Sequence, residues 1–220
     1  MSNLFIPKGA IYRSLEEKLR LETRNGVIQA EFIFYSAANW TLGQKINSEL
    51  LCKLQELAVN QIYRCAGYFR DGPVFLDGAA HQPPDHSEVD GLTKDMCDYI
   101  NEHSGDRSAT HLAAYAMWRV NWIHPFFGGN GRSARAFSYL VLCLRLGFTL
   151  PAAEKNIPEL IVENRDPYYL ALREADAAWG SGSLDLSSME SLISDLLAVQ
   201  LVEIHKRATG TKADPIRPPE

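Results

Sequence analysis

His124-Pro125-Phe126-Phe127-Gly128-Gly129-Asn130-Gly131-Arg132-Ser133-Ala134-Arg135 is the stretch on which the fold and the chemistry of this chain turn. Pro125 pushes the residue before it out of the right-handed helical region, so a helix ends at His124. The glycines let the backbone turn left-handed and let a ligand approach without Cβ clashes. The turn then feeds a new helix, whose N-terminal amides and dipole favour an anion. Arg132 and Arg135 stand three apart, share a face and can grip two phosphate groups. A proton acceptor, an anion cradle and a cationic clamp therefore lie within one short string. There is no Gly-x-x-x-x-Gly-Lys-Ser/Thr and no strand leading into the turn, which excludes the usual nucleotide-binding loops. Here helix, loop and helix make the cradle.

Outward from this string the chain reads as helices. Ser108 to His124 carries Leu112, Tyr115, Ala116, Val120 and Ile123 on one face, and a second helix runs from near Gly131 to a glycine cap at Gly147. Ser14 to Arg24 and Leu42 to Asn60 have helical spacing, with Asn25-Gly26 as a turn signal after the first. Val89 to His103 is helical, Asp166-Pro167 opens a helix to about Trp179, and Ser187 to Arg207 forms the last. Between Gly67 and Pro84 the pattern changes. Tyr68, Phe69, Val74, Phe75 and Leu76 cluster around Asp71-Gly72-Pro73, which predicts a small β-hairpin. The expected fold class is all-α, a helical core with one short β-hairpin flap. Residues 1–60 are expected as an N-terminal helical segment packed on the core, 61–208 as the main domain and 209–220 as a disordered tail.

The 220 residues are 46% hydrophobic and 22% charged, enough for one domain with a real core. A net charge of -5 without clustered Lys or Arg argues against a nucleic-acid partner. The run Ala136 to Leu150 is broken by Arg145 and too short to span a bilayer, and no signal-peptide pattern opens the chain. No membrane partner and a cytoplasmic location are expected. Cys52, Cys65, Cys97 and Cys143 have no paired spacing and read as reduced thiols. His81 and His86 with Asp85 fit no zinc pattern. Trp118 and Trp122 read as core, and Tyr168 and Tyr169 as packing residues.

The string resembles the signature of the Fic family (Fido fold), His-Pro-Phe-x-Asp/Glu-Gly-Asn-Gly-Arg-x-x-Arg. The likeness extends to Gly67-Tyr68-Phe69-Arg70, Val74, His81 and Pro83-Pro84, which look like the family's flap, and to Tyr168-Tyr169-Leu170-Ala171-Leu172. What the resemblance implies is transfer of a nucleotidyl group, most often AMP from ATP, onto a hydroxyl of a target protein. By that similarity His124 is the general base, with a pKa near neutrality suited to the task. Gly129, Asn130 and Gly131 hold phosphate oxygens, and Arg132 and Arg135 clamp the β- and γ-phosphates. The target docks as an added strand at the flap, about Arg70 to His81. A homo-oligomer is left open.

One position departs from the pattern. Gly128 stands where the family has Asp or Glu, the residue that helps hold Mg2+ on the phosphates, so no metal ligand is expected here and Mg2+ binding is weakened. Asp71, Asp77 and Asp85 have no claim to that corner from sequence. On this reasoning Gly128→Glu restores a ligand and raises activity. The family's inhibitory Ser/Thr-x-x-x-Glu-Gly/Asn helix is absent; Glu163-Asn164 has the right ending, but Glu159 stands in the Ser/Thr place. Two alternatives accompany the transferase reading. One is a divergent domain with another phosphate-containing donor, the other a non-catalytic nucleotide- or peptide-binding module.

Overall fold

Leu112, Trp118, Ile123, Phe126, Phe137 and Leu140 are fully buried, and they mark where the core sits. It lies between α4 (Ala109–Ile123) and α5 (Asn130–Leu146), the two helices joined by the His124 loop. The structure is a computed structural model that describes residues 9–76, 81–150 and 155–210. α1 (Leu15–Ala38) and α2 (Ser48–Val59) pack on each other and on α5. α3 (Val89–Glu102), entered through a 3-10 turn at His86–Glu88, packs on α4. α6 (Ile157–Glu163), α7 (Asp166–Gly180) and α8 (Ser187–Thr209) close the other side, with α7 and α8 against α4 and α6 against α5.

The helix boundaries follow from caps, and three differ from the sequence reading. α1 runs straight through Asn25-Gly26, which had the look of a turn. Asn25 is fully buried, and its Nδ2 donates to Asn60 O at 2.8 Å and Ala58 O at 3.4 Å. Its amide thus caps the carbonyls at the end of α2 rather than bending α1. α2 begins at Ser48, not Leu42, because Asn47 Oδ1 accepts from Leu50 N at 3.2 Å and Leu42 is wholly exposed. α6 was not foreseen. Its start carries a capping box, with Asn156 Oδ1 accepting from Glu159 N at 3.1 Å and Glu159 Oε2 accepting from Asn156 N at 2.9 Å.

The hairpin does not form among the described residues. Residues 67–76 run without a ladder, and residues 77–80 lie outside the described set. The reason is local. Pro73 has no N–H to give, and the Arg70 amide goes to Pro125 O at 2.8 Å instead of to a partner strand. The β pairing present among the described residues is a single antiparallel bridge between Ala10 and Tyr63. Of the expected disordered tail, Thr209 ends α8 and Gly210 caps it with φ +67, while 211–220 lie outside the described residues.

Candidate active site

His124 closes α4 in a left-handed conformation, φ +50 and ψ +58, with its amide bonded to Val120 O at 3.0 Å. A non-glycine residue there is strained by roughly 1–2 kcal/mol, so the surroundings must hold it. They do so through Arg70, which is 3% exposed. Its Nε donates to His124 O at 2.9 Å, Nη1 to Gly72 O at 3.1 Å, and Nη2 to Pro84 O at 2.5 Å and Ile123 O at 3.4 Å. One buried guanidinium therefore fastens the flap segment to the carbonyls around His124. Phe126, fully buried against Phe69 with ring centroids 5.5 Å apart, anchors the same loop.

The imidazole bonds to the Asn121 backbone, which favours its protonated form. Burial outweighs this, and the nearby Arg70 and His81 add to it, pushing the His124 pKa down to about 4. Sequence reasoning placed this base near neutrality. At that value the imidazole is neutral throughout the physiological range.

The cradle follows directly. Gly129 (φ +83) is the N-cap of α5, and no side chain caps the first turn. A Cβ on Gly129 would come to 2.6 Å from Val59 Cγ1, so only glycine fits there. Asn130, 3% exposed, spans the loop: Oδ1 accepts from Phe126 N at 3.0 Å and Nδ2 donates to Phe126 O at 2.7 Å. It braces the turn, a use that its place in the string did not suggest. Gln55, fully buried on α2, is a second brace, with Nε2 on Gly128 O at 3.0 Å and Oε1 accepting from Gly67 N at 2.6 Å. Nothing in the sequence pattern singled out Gln55, and the flap likeness that includes Arg70 gave it no bracing role, because their partners are backbone atoms brought in by the fold.

The two arginines flank the cradle differently. Arg135 folds back beside Gly131, where an added Cβ would lie 3.4 Å from its Nη1. Its guanidinium lies close enough to the Tyr168 hydroxyl to interact with it, and that hydroxyl accepts from Asn121 Nδ2 at 2.8 Å. Tyr168 thus does more than pack. Arg132 is engaged by the protein itself: Nη1 donates to Ala58 O at 3.2 Å and pairs with Glu22 Oε1 at 3.3 Å. An α1 carboxylate, absent from any motif, sits on one of the two arginines expected to grip phosphate.

The Mg2+ corner does not fit a metal. A Cβ at Gly128 would lie 2.8 Å from Tyr63 Cε2 and 3.1 Å from its Cζ, so an aromatic ring occupies the space where an acid would project. Gly128→Glu therefore has no room until Tyr63 yields, which reverses the expectation drawn from sequence. Asp85 is spent on capping the 3-10 turn, accepting from Ser87 N at 2.9 Å, and Asp77 lies outside the described residues. No group of three His, Cys, Asp or Glu that could hold a metal occurs among the described residues. His81 bonds Trp122 O through Nε2 at 2.8 Å and stacks on that indole. No helix among the described residues is long and apolar enough to cross a membrane.

Comparison with known proteins agrees with this geometry. Residues 45–142 match the Fic/DOC family model, a span that takes in α2 through most of α5. The protein adenylyltransferase Fic of Drosophila persimilis is 32% identical over 113 residues, 50% of this chain and 20% of that protein. The chain thus spans about a fifth of the length of the curated relatives it matches. A Fic domain containing signaling protein from Bacteroides thetaiotaomicron superposes with a TM-score of 0.74 at 22% identity, covering 92% of this chain and 77% of that one. BepC of Bartonella tribocorum, solved with bound AMPPNP, gives a TM-score of 0.57 at 15% identity, covering 87% and 95%. These two likenesses show the fold. Together with the His124–Arg135 string, they show a Fic-type fold with a match to the Fic/DOC family model over residues 45–142.

Proposed function

We propose that the protein transfers a nucleotidyl group, AMP from ATP, to a hydroxyl side chain of a target protein. The observation that carries this reading is a half-buried, neutral His124 beside a helix N-terminus without a side-chain cap, flanked by Arg132 and Arg135. His124 takes the proton of the acceptor hydroxyl as its oxygen bonds the α-phosphorus. The bond from that phosphorus to the leaving pyrophosphate breaks, and the departing charge is received by the α5 amides, Arg135 and Arg132. Tyr168 holds Arg135 in place, and Asn130 and Gln55 keep the loop in shape. Arg132 must first exchange Glu22 for phosphate. The target segment lies along the flap, whose described backbone has no strand partner and whose Tyr68 and Phe75 are 73% and 80% exposed.

The filled Gly128 corner favours a second reading, a module that binds a nucleotide or peptide without turnover, or a domain with another phosphate-containing donor. The test is to incubate the protein with α-labelled ATP, UTP, CTP or GTP and a cell lysate, beside His124→Ala. Label on a protein band that is lost in the variant supports transfer, and the donor is read from the lane. Nucleotide binding with no label from any donor selects the module.

A further inference from the structure

Gly128 is more than a missing acid. The Tyr63 ring rests on its α-carbon, so closely that any L side chain at 128 would meet Cε2, Cζ and Cδ2 at 2.8, 3.1 and 3.2 Å. Tyr63 is held there from two sides. The turn after α2 brings it round, with Ile62 N on Val59 O at 2.8 Å and Gln61 in the left-handed region at φ +61. Arg24 Nη1 fixes Gln61 through its Oε1 at 3.2 Å. The N-terminal segment pins the other edge, with Ile11 N on Ile62 O at 2.9 Å and Arg64 N on Gly9 O at 3.0 Å around the Ala10–Tyr63 bridge.

The charged groups that Tyr63 feels are Arg132 and Glu22, and its other titratable neighbours are Tyr12 and Cys65. Its hydroxyl makes no hydrogen bond among the described residues. The corner therefore offers an aromatic wall and one unspent neutral donor beside a clamp arginine. A phenol is a good donor to a phosphate oxygen and a poor ligand for Mg2+, which prefers carboxylates and water.

Resting on the reading of this cradle as a polyphosphate site, we propose that Tyr63 stands in for the divalent cation. Its hydroxyl donates to a phosphate oxygen, so that the polyphosphate is held metal-free by Tyr63, Arg132, Arg135 and the α5 amides. Burial keeps the phenol protonated, as the donor role needs, since desolvation raises its pKa. Arginines left to read the full anionic charge gain from the absence of a neutralising metal.

The test is calorimetric titration of the full chain with inorganic triphosphate and with ATP, each in EDTA and in Mg2+. Wild-type Kd in EDTA is expected to equal or undercut the Mg2+ value, and Tyr63→Phe, which keeps the ring on Gly128, to weaken binding in EDTA by about five- to tenfold, the loss of one hydrogen bond. Tyr63→Ala/Gly128→Asp clears the corner and supplies a carboxylate. It is expected to reverse the preference, binding ATP about tenfold tighter with Mg2+, with thermal unfolding checking that it is folded. Wild-type binding that collapses in EDTA, or a Tyr63→Phe protein that binds as wild type does, overturns the proposal. Label transfer in Mg2+ without binding in EDTA defeats this inference and leaves the transferase reading. Binding in EDTA without transfer does the opposite.

Discussion

Arg70→Ala should be the most damaging single change outside the helical core. The guanidinium is 3% exposed and donates to carbonyls of His124, Gly72 and Pro84 at 2.5–3.1 Å, with a fourth, longer bond to Ile123 O. Each buried carbonyl left without its donor costs about 1–3 kcal/mol, and water entering the gap recovers part of that. Three good bonds at the low end of that range give about 3–5 kcal/mol, the same as breaking a buried charged pair by removing one partner. A domain of this size has a total stability of about 5–15 kcal/mol, so a fifth or more is at stake. At about 2–4 °C per kcal/mol, Tm should fall by about 6–20 °C. Arg70→Lys should recover less than half, because an ammonium cannot fork to carbonyls on both sides. The assay is thermal or urea unfolding of the three proteins. An Arg70→Ala protein melting within about 2 °C of wild type would show that the flap and the His124 loop do not depend on this guanidinium.

Three more expectations follow from the site. Glu22→Ala should release Arg132; for a partly exposed pair worth about 0.5–1 kcal/mol, ATP binding measured by calorimetry should tighten about two- to fivefold. His124 has a folded-state pKa near 4 against 6.5 when unfolded, so the unfolded chain binds the extra proton between those values. Its contribution, about 3 kcal/mol at most, is therefore whole above pH 6.5 and lost as pH falls toward 4. Urea unfolding across that window should show this slope, and His124→Gln should flatten it. Tyr168→Phe removes the hydroxyl that accepts from Asn121 and neighbours Arg135, and should weaken nucleotide binding about three- to tenfold with little change in Tm.

The site was legible in the sequence where chemistry is compressed into adjacent residues. Pro125 marked the end of α4, the glycines marked the turn and the arginine spacing marked the α5 face, because each constrains the backbone locally. What stayed hidden acts over distance. Gln55, Glu22, Tyr63 and the bracing role of Arg70 come from α1, α2 and the loops after α2, and reach the cradle by tertiary packing that no periodicity reports. The Asn25-Gly26 signal failed for the same reason: a tertiary partner, the carbonyl end of α2, overrode a turn preference. Among the described residues the hairpin does not form, because Arg70 satisfies backbone carbonyls that a ladder would otherwise have to pair. The start of α6 was readable, since Asn156 and Glu159 form a capping box at its standard spacing.

Mass spectrometry of an acceptor protein after incubation with ATP tests the central claim most directly. A nucleotidyl adduct on a Ser, Thr or Tyr hydroxyl, formed by the wild-type chain and lost with His124→Ala while ATP still binds, is the predicted result. An adduct that forms equally well with His124→Ala would contradict the assignment of His124 as the base, and with it the account of this site.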